Sequence, residues 1–132
     1  MSWTIKFEQE FDDEFEEMAA GLQDTLLAHL GVLEEFGPQL GRPLVDTLND
    51  STHSNMKELR FKYDGGVWRV AFAFDPERKG IVLVAGDKRG ADQKKFYKQL
   101  ISTADRRFTN HLNNQPQTEE DNDNDNTKGE TQ

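Results

Sequence analysis

The sequence predicts an α+β fold in which a small, antiparallel-dominated sheet carries helices packed on one face. Three apolar, β-prone runs, at residues 59–63, 67–74 and 81–85, are separated by turn residues, which is the pattern of an antiparallel meander. The segments before and after them carry apolar residues at helical spacing. Together these observations predict the element order β-α-α-β-β-β-α.

The N-terminal third is expected to form one strand and two helices. Residues 3–7 alternate between apolar and polar side chains, as a first strand does. Apolar residues then recur every three or four positions, first at Phe7, Phe11, Phe15, Met18 and Leu22, and later at Leu26, Leu27, Leu30, Leu33 and Phe36. Gly21 marks the corner between the helices, and Gly37-Pro38 ends the second, because proline cannot continue a helix.

The turn at Asp64-Gly65 sets the expected register of the meander. If it is a two-residue loop, Arg60 lies directly opposite Arg69. Lys62 then shares their face of the sheet, and the end of the third run brings Lys88 close to Arg69. Like charges side by side destabilise a fold, so a cluster of this kind suggests that an anion binds there.

The middle run has two different faces. One face, with Trp68, Val70, Phe72 and Phe74, is expected to pack on the helices. The other face, with Val67, Arg69, Ala71 and Ala73, is expected to be a shallow floor from which the arginine projects.

The C-terminal part is predicted to be one helix, over residues 91–112, followed by a tail. The folded domain therefore spans residues 1–112. Residues 113–132 carry no hydrophobic side chain and six acidic residues, so we expect a disordered, solubilising tail. The alternative is that the tail folds back over the basic residues of the domain and competes with anions, which the salt dependence of binding would reveal.

Composition excludes several kinds of site. The chain has no cysteine, so disulfides, thiol nucleophiles and thiolate metal sites are impossible. Its three histidines lack ligand spacing, and phosphate-loop and dinucleotide-loop motifs are absent. We therefore expect no metal and no cofactor. The sequence has neither an apolar run of membrane-spanning length nor a signal-like N-terminus, which predicts a cytoplasmic protein without membrane contact.

Charge is distributed unevenly along the chain. Residues 1–50 carry two basic and twelve acidic residues, whereas residues 51–107 carry thirteen basic and seven acidic residues. The overall net charge of −9 therefore conceals a basic central module, and local potential governs what binds there. The acids of the first helix are expected to form a solvated face; the alternative is a docking strip for a basic partner.

Arginine and lysine clusters can support RNA cleavage without a metal. The ribose 2′-hydroxyl is the nucleophile, so the protein has to position the strand, accept a proton and stabilise charge on the phosphorane. Tyr63 and Tyr97 are phenolic candidates for proton transfer. The alternative is that the basic residues only decorate the edge of a sheet.

Five short motifs carry a resemblance to a known family. In order they are Gly37-Pro38, Leu40-Gly41-Arg42-Pro43, Asn55-Met56-Lys57-Glu58-Leu59-Arg60, Trp68-Arg69-Val70-Ala71-Phe72 and Gly86-Asp87-Lys88. Together they resemble the HigB-like, phage-derived branch of the RelE/ParE toxin superfamily of type II toxin–antitoxin systems. The family's fold has the same β-α-α-β-β-β-α order.

The resemblance implies a ribosome-dependent mRNA endoribonuclease, or mRNA interferase, that inhibits translation and is neutralised by a helix-turn-helix antitoxin encoded nearby. By position it implies five catalytic residues: Arg69 and Arg60 at the scissile phosphate, Lys57 and Lys88 in proton transfer and charge stabilisation, and Tyr97 in the last helix. Four further cations are expected to bind RNA phosphates: Lys62, Arg89, Lys94 and Lys95.

Two acidic residues depart from the family's pattern. Glu58 and Asp87 stand where ribonucleolytic members commonly have basic residues, and both lower the positive potential of the expected site. They leave two alternatives open: a non-enzymatic toxin of the same fold that inhibits gyrase or another target by binding, or an inactive prophage remnant.

Overall fold

A computed structural model describes residues 2–90 and 92–114. It contains five strands and three α-helices within those residues: β1 Thr4–Phe7, α1 Gln9–Glu16, α2 Ala20–Phe36, β2 Val45–Thr47, β3 Lys57–Tyr63, β4 Gly66–Phe74, β5 Lys79–Asp87 and α3 Gln93–Asn113. The strands form one sheet in the order β1-β5-β4-β3-β2. β1 runs parallel to β5, and the other neighbours are antiparallel. The α+β class and the predicted element order are confirmed, with β2 as an additional strand.

The first two helices are separated earlier than predicted. α1 ends at Glu16 and α2 begins at Ala20, so the break precedes the expected corner at Gly21. The side chain of Glu8 caps α1 by accepting a hydrogen bond from the Phe11 backbone nitrogen, 3.0 Å away. α2 ends where predicted, because Gly37 adopts a φ of 65° that continues no right-handed helix.

The β3–β4 hairpin has the predicted turn and register. Asp64 and Gly65 both have positive φ, 51° and 81°, as a two-residue type I′ turn requires. Arg60 therefore pairs directly with Arg69. Arg69 also pairs with Gly86 on the neighbouring strand β5, so the end of β5 lies beside it as expected.

Helices cover both faces of the sheet, so the prediction that they pack on one face is wrong. α1 and α2 pack on the face that carries Val70 and Phe72. α3 packs on the opposite face, where fully buried Ala71 and Ala73 leave room for a helix. The second core is completed by β5 and α3, through Ile81, Leu83, Leu100, Ala104 and Phe108. The expected shallow floor is thus a helix-packing surface.

A buried ion-pair cluster joins the last helix to the first. Arg107 of α3 is 5% exposed and donates hydrogen bonds from its two Nη atoms to Glu14 of α1, at 2.9 and 2.5 Å. Its Nη1 also donates to the Leu83 backbone oxygen at 2.8 Å. Nearby, Arg106 bonds Glu10 at 3.0 Å. These contacts hold the C-terminal half of α3 against both β5 and α1.

The predicted domain boundary at residue 112 lies one residue before the end of α3. The predicted tail begins at residue 113, but Asn113 belongs to α3 and Asn114 caps it. The rest of the predicted tail, residues 115–132, lies outside the described residues. No helix within residues 2–90 and 92–114 has the length and apolar character needed to cross a membrane.

Candidate active site

A groove of about 1060 Å³ lies between the N-terminal half of α3 and the β2–β3 edge of the sheet. Thr47, Leu48, Asn49, Asp50 and Glu58 line it from the sheet and the following loop; Gln93, Lys94, Tyr97, Lys98, Ile101, Ser102 and Asp105 line it from α3. Ligand sites are usually concave clefts of roughly 300–1000 Å³, so this groove is a candidate site.

A hydrogen-bonded chain of three polar side chains lies at the groove. The Tyr97 hydroxyl donates to Glu58 Oε1 at 2.9 Å and accepts from Arg69 Nε at 2.5 Å. The Arg69 guanidinium lies 4.0 Å from Glu58 and donates from Nη1 to the Val67 backbone oxygen at 3.1 Å. Arg69 is 9% exposed. The two charged partners fix the orientation of the phenol.

This environment raises the pKa of Tyr97 above its ordinary value. Burial of the phenol is the main cause, and the hydrogen bond to the Glu58 carboxylate adds to it; Arg69 opposes the shift. Tyr97 therefore holds its proton at neutral pH, so the role open to it there is that of a proton donor and not of a base.

A second set of ion pairs holds Glu58 and Arg60. Arg60 Nε lies 3.4 Å from Glu58 Oε2, and Arg60 Nη2 lies 3.1 Å from Asp46 Oδ2. Arg42 approaches the same Asp46 oxygen at 3.9 Å. Both arginines of the predicted cluster are therefore bound to carboxylates instead of facing an open anion site.

Strand alternation decides which of the predicted residues meet. Glu58 and Arg60 project to the face of Arg69 because they are two residues apart on β3. Tyr97 reaches them from α3, whose N-terminus is capped by Asp92 through hydrogen bonds from the Lys94 and Lys95 backbone nitrogens.

Lys57 does not join this cluster. It pairs with Phe72, and successive residues of a strand point to opposite faces, so Lys57 lies on the face covered by α1 and α2. Tyr63 shares that other face, where its hydroxyl lies against Gly21.

Outside the lining of the groove lie three more of the predicted cations, Lys88, Arg89 and Lys62. Lys88 bonds the groove-lining Gln93 at 3.2 Å. Arg89 joins the end of β5 to the hairpin turn, bonding Asp87 at 2.9 Å and the Asp64 backbone oxygen at 2.7 Å. Lys62 is exposed near that turn.

The groove has a basic end and an acidic end. Lys94 and Lys98 line the basic end, whereas Lys95 is exposed on α3 outside the lining. Asp50 and Asp105 lie at the other end, where Asp105 accepts hydrogen bonds from the Ser51 hydroxyl and, at 2.9 Å, from the Thr52 nitrogen. A phosphate is accommodated better at the lysine end, because carboxylates repel it.

The ion pairs that Glu58 and Asp46 form with Arg60 were not predicted from the sequence. Glu58 was treated as a departure that weakens the site, yet its position two residues before Arg60 already placed it on the same strand face. Asp46 depends on β2, a three-residue strand within a stretch without alternating apolar residues. Within residues 2–90 and 92–114, no group of three or more potential ligand side chains is placed to hold a metal ion.

Comparison with known proteins identifies the family. Residues 13–109 match the family model described as phage derived protein Gp49-like (DUF891). Two Mycobacterium tuberculosis (strain ATCC 25618 / H37Rv) proteins that carry the name of toxins are similar to the chain: HigB2, 48% identical over 90 residues, and HigB3, 51% identical over 83 residues. The alignments cover 67% and 63% of this chain.

The matched part is less than half of one relative and most of the other. It spans 44% of the length of HigB2 and 70% of that of HigB3. Among solved structures, an arginine-to-alanine double mutant of Escherichia coli toxin RelE in the free state matches with a TM-score of 0.54 at 13% identity, over 77% of this chain and 96% of that chain. This likeness concerns the fold alone. The chain therefore belongs to the phage-derived Gp49-like family, as a HigB-like member similar to HigB3.

Proposed function

We propose that this protein is the toxin of a type II toxin–antitoxin module and that it cleaves mRNA on the ribosome as a metal-independent endoribonuclease. The observation that carries the proposal is the groove in which the Tyr97 hydroxyl is held between Arg69 and Glu58 beside two exposed lysines. The toxin names of HigB2, HigB3 and RelE support the same conclusion.

The residues of the groove match the needs of cleavage by the ribose 2′-hydroxyl. Lys94 and Lys98 would bind backbone phosphates, and Lys88 would extend this contact at the rim. Glu58 would accept the proton of the attacking 2′-hydroxyl, and Tyr97 would give its proton to the leaving 5′-oxygen. Transfer of a proton from Glu58 to Tyr97 then restores both groups, leaving a 2′,3′-cyclic phosphate and a 5′-hydroxyl.

Arg69 and Arg60 are positioning residues in this proposal. Arg69 is nearly buried beneath α3 and donates to Tyr97, so it orients the phenol and stabilises negative charge that develops on it. Arg60 lies between Asp46 and Glu58 and keeps the carboxylate in place. Lys62 and Arg89 would contact RNA outside the groove.

The proposal includes a cognate antitoxin, of the helix-turn-helix type that the resemblance implies. Induced expression of this chain would then arrest growth, and co-expression of the antitoxin would restore it. If the wild type arrests growth without antitoxin and a folded Tyr97→Phe variant does not, toxicity depends on the groove.

The decisive experiment maps new 3′ ends on a defined mRNA incubated with purified ribosomes and the protein. We expect Tyr97→Phe to lower the cleavage rate by roughly 100-fold or more, which is the usual contribution of a general acid. Lys98→Ala should weaken cleavage substantially. Lys95→Ala is the matched control, because it removes an equal charge three residues away but outside the groove, and its effect should be much smaller.

Two outcomes would contradict the assignment. Intact mRNA together with DNA breaks in the presence of gyrase would replace it with the binding toxin of the same fold. Equal losses from Lys98→Ala and Lys95→Ala would show that general positive charge, and not the groove, determines activity.

A further inference from the structure

The first two turns of α3 present positive charge that the described part of the chain does not neutralise. Lys94, Lys95 and Lys98 are exposed, and none of them forms an ion pair within residues 2–90 and 92–114. We call these three residues the α3 lysine surface.

Three nearby carboxylates already have partners. Glu58 is held by Arg60 and Tyr97, Asp92 caps α3, and Asp105 accepts hydrogen bonds from the Ser51 hydroxyl and the Thr52 backbone nitrogen. The α3 lysine surface is therefore available to an acidic ligand.

The same chain supplies a segment of complementary charge. Residues 119–130 carry six acidic residues and one lysine: Glu119, Glu120, Asp121, Asp123, Asp125, Lys128 and Glu130. These residues lie outside the described structure. They follow the helix that bears the lysine surface, so the complementary charges are on one continuous stretch of chain.

The lengths of helix and segment are compatible with contact. Lys98 lies 15 residues before Asn113, which corresponds to about 22 Å at the rise of an α-helix. Asp125 lies 12 residues beyond Asn113, and an extended chain of that length reaches up to about 40 Å. Tethering also raises the local concentration of the segment to the order of millimolar, so a weak contact suffices.

We propose that the acidic segment 119–125 docks on the α3 lysine surface and competes with RNA for its two groove-lining members, Lys94 and Lys98. Each Lys–carboxylate contact in this complex is exposed and therefore weak, and the contacts share a strong dependence on salt. The competition with RNA rests on the proposed function, whereas the docking itself does not.

The test uses the 132-residue chain with uncharged, nearly isosteric side chains in place of the tail carboxylates: E119Q, E120Q, D121N, D123N, D125N and E130Q combined. The matched control changes six exposed acids on α1, its C-cap and α2, which lie across the sheet: D12N, D13N, E16Q, E17Q, D24N and E35Q. Both variants gain the same net charge. NMR then compares the backbone amide resonances of Lys94, Lys95 and Lys98 with those of the wild type.

Docking predicts that the tail variant shifts these three resonances and that the control leaves them unchanged. It also predicts that a short oligouridylate RNA binds the tail variant about tenfold more tightly than the wild type at about 50 mM salt, with the difference vanishing near 500 mM. The control should gain about twofold or less.

Unchanged lysine resonances in the tail variant would overturn the docking proposal. Equal gains in RNA affinity from both variants would overturn the competition, because net charge alone would then explain them. Failure of the proposed nuclease function would give a different result. The mRNA would then stay uncut on ribosomes, while the tail variant would still shift the lysine resonances, which supports docking without cleavage.

Discussion

The hydroxyl of Tyr97 has an unusual position for a phenol, half-buried between a carboxylate and a guanidinium. The hydroxyl donates a hydrogen bond to Glu58, and its oxygen accepts a hydrogen bond from Arg69. Burial and Glu58 raise its pKa more than Arg69 lowers it. The side chain that we propose as a proton donor is thus also a titratable reporter of the site.

Titration of Tyr97 gives a first test at this scale. Replacing Glu58 by glutamine removes a cause of the raised pKa, so the Tyr97 pKa should move down toward 10. Absorbance of the phenolate near alkaline pH, compared between the wild type and Glu58→Gln, measures the change. An unchanged titration would show that the carboxylate does not influence the phenol.

The raised pKa of Tyr97 also makes stability depend on alkaline pH. The folded protein holds the phenolic proton more tightly than the unfolded chain, so the stabilisation is complete below pH 10 and is lost as pH rises through the folded-state pKa. We expect the free energy of unfolding to fall more steeply above pH 10 in the wild type than in Tyr97→Phe. Parallel pH profiles from urea denaturation would contradict this.

At the scale of elements, two adjacent arginines connect α3 to α1 with different burial. Arg107 is buried and bonded to Glu14, and this hydrogen bond is the main cause that raises its pKa. Arg106 is exposed and bonds Glu10, whose pKa it lowers. Because the two arginines differ mainly in burial, a variant of Arg106 can serve as the control for a variant of Arg107.

Loss of the buried arginine should destabilise the protein more than loss of the exposed one. Arg107→Met leaves Glu8, Glu10 and Glu14 without their shared cation, and we expect a loss of about 1–3 kcal/mol, between the values for exposed and buried pairs. Arg106→Met should cost less than about 1 kcal/mol. Urea denaturation of both variants measures the difference, and similar losses would show that Arg107 contributes no more than a surface pair.

At the scale of the whole molecule, one sheet carries two hydrophobic cores. β4 contributes Phe72 to the core under α1 and α2, and Ala71 and Ala73 to the core under α3. Because the same strands hold both layers, loss of either layer exposes apolar residues of the shared sheet. A single cooperative transition is the expected behaviour.

Cooperative unfolding can be checked from both sides of the sheet. Trp68 packs against the core of α1 and α2, so in a Trp3→Phe background the fluorescence of Trp68 reports on that layer. Hydrogen exchange at Leu100 and Ala104 reports on α3. We expect equal free energies from both probes; exchange of α3 at a much lower free energy would show that this helix unfolds independently.

Prediction of the site was most accurate where local geometry is sufficient. The turn at Asp64-Gly65 places Arg60 directly opposite Arg69, because a two-residue hairpin loop fixes the register of the two strands. The family resemblance groups Lys57 with Arg69 as a catalytic residue, and that role stays a prediction. The alternation of β3 puts Lys57 on the other face.

The sequence by itself determined the element order, the hairpin register and the family, because turn residues, apolar spacing and short motifs act locally along the chain. Only the tertiary structure decided that α3 covers the face of Arg69 and that Glu58 and Asp46 bind the arginines. The apolar surface under α3 combines Ala71 with Leu83 from a separate strand, and such a surface exists only after the strands have paired. Arg69 is buried because α3 packs closely over the small side chains of this face. The guanidinium then forms its hydrogen bonds beneath the helix, with Tyr97 and the Val67 backbone oxygen.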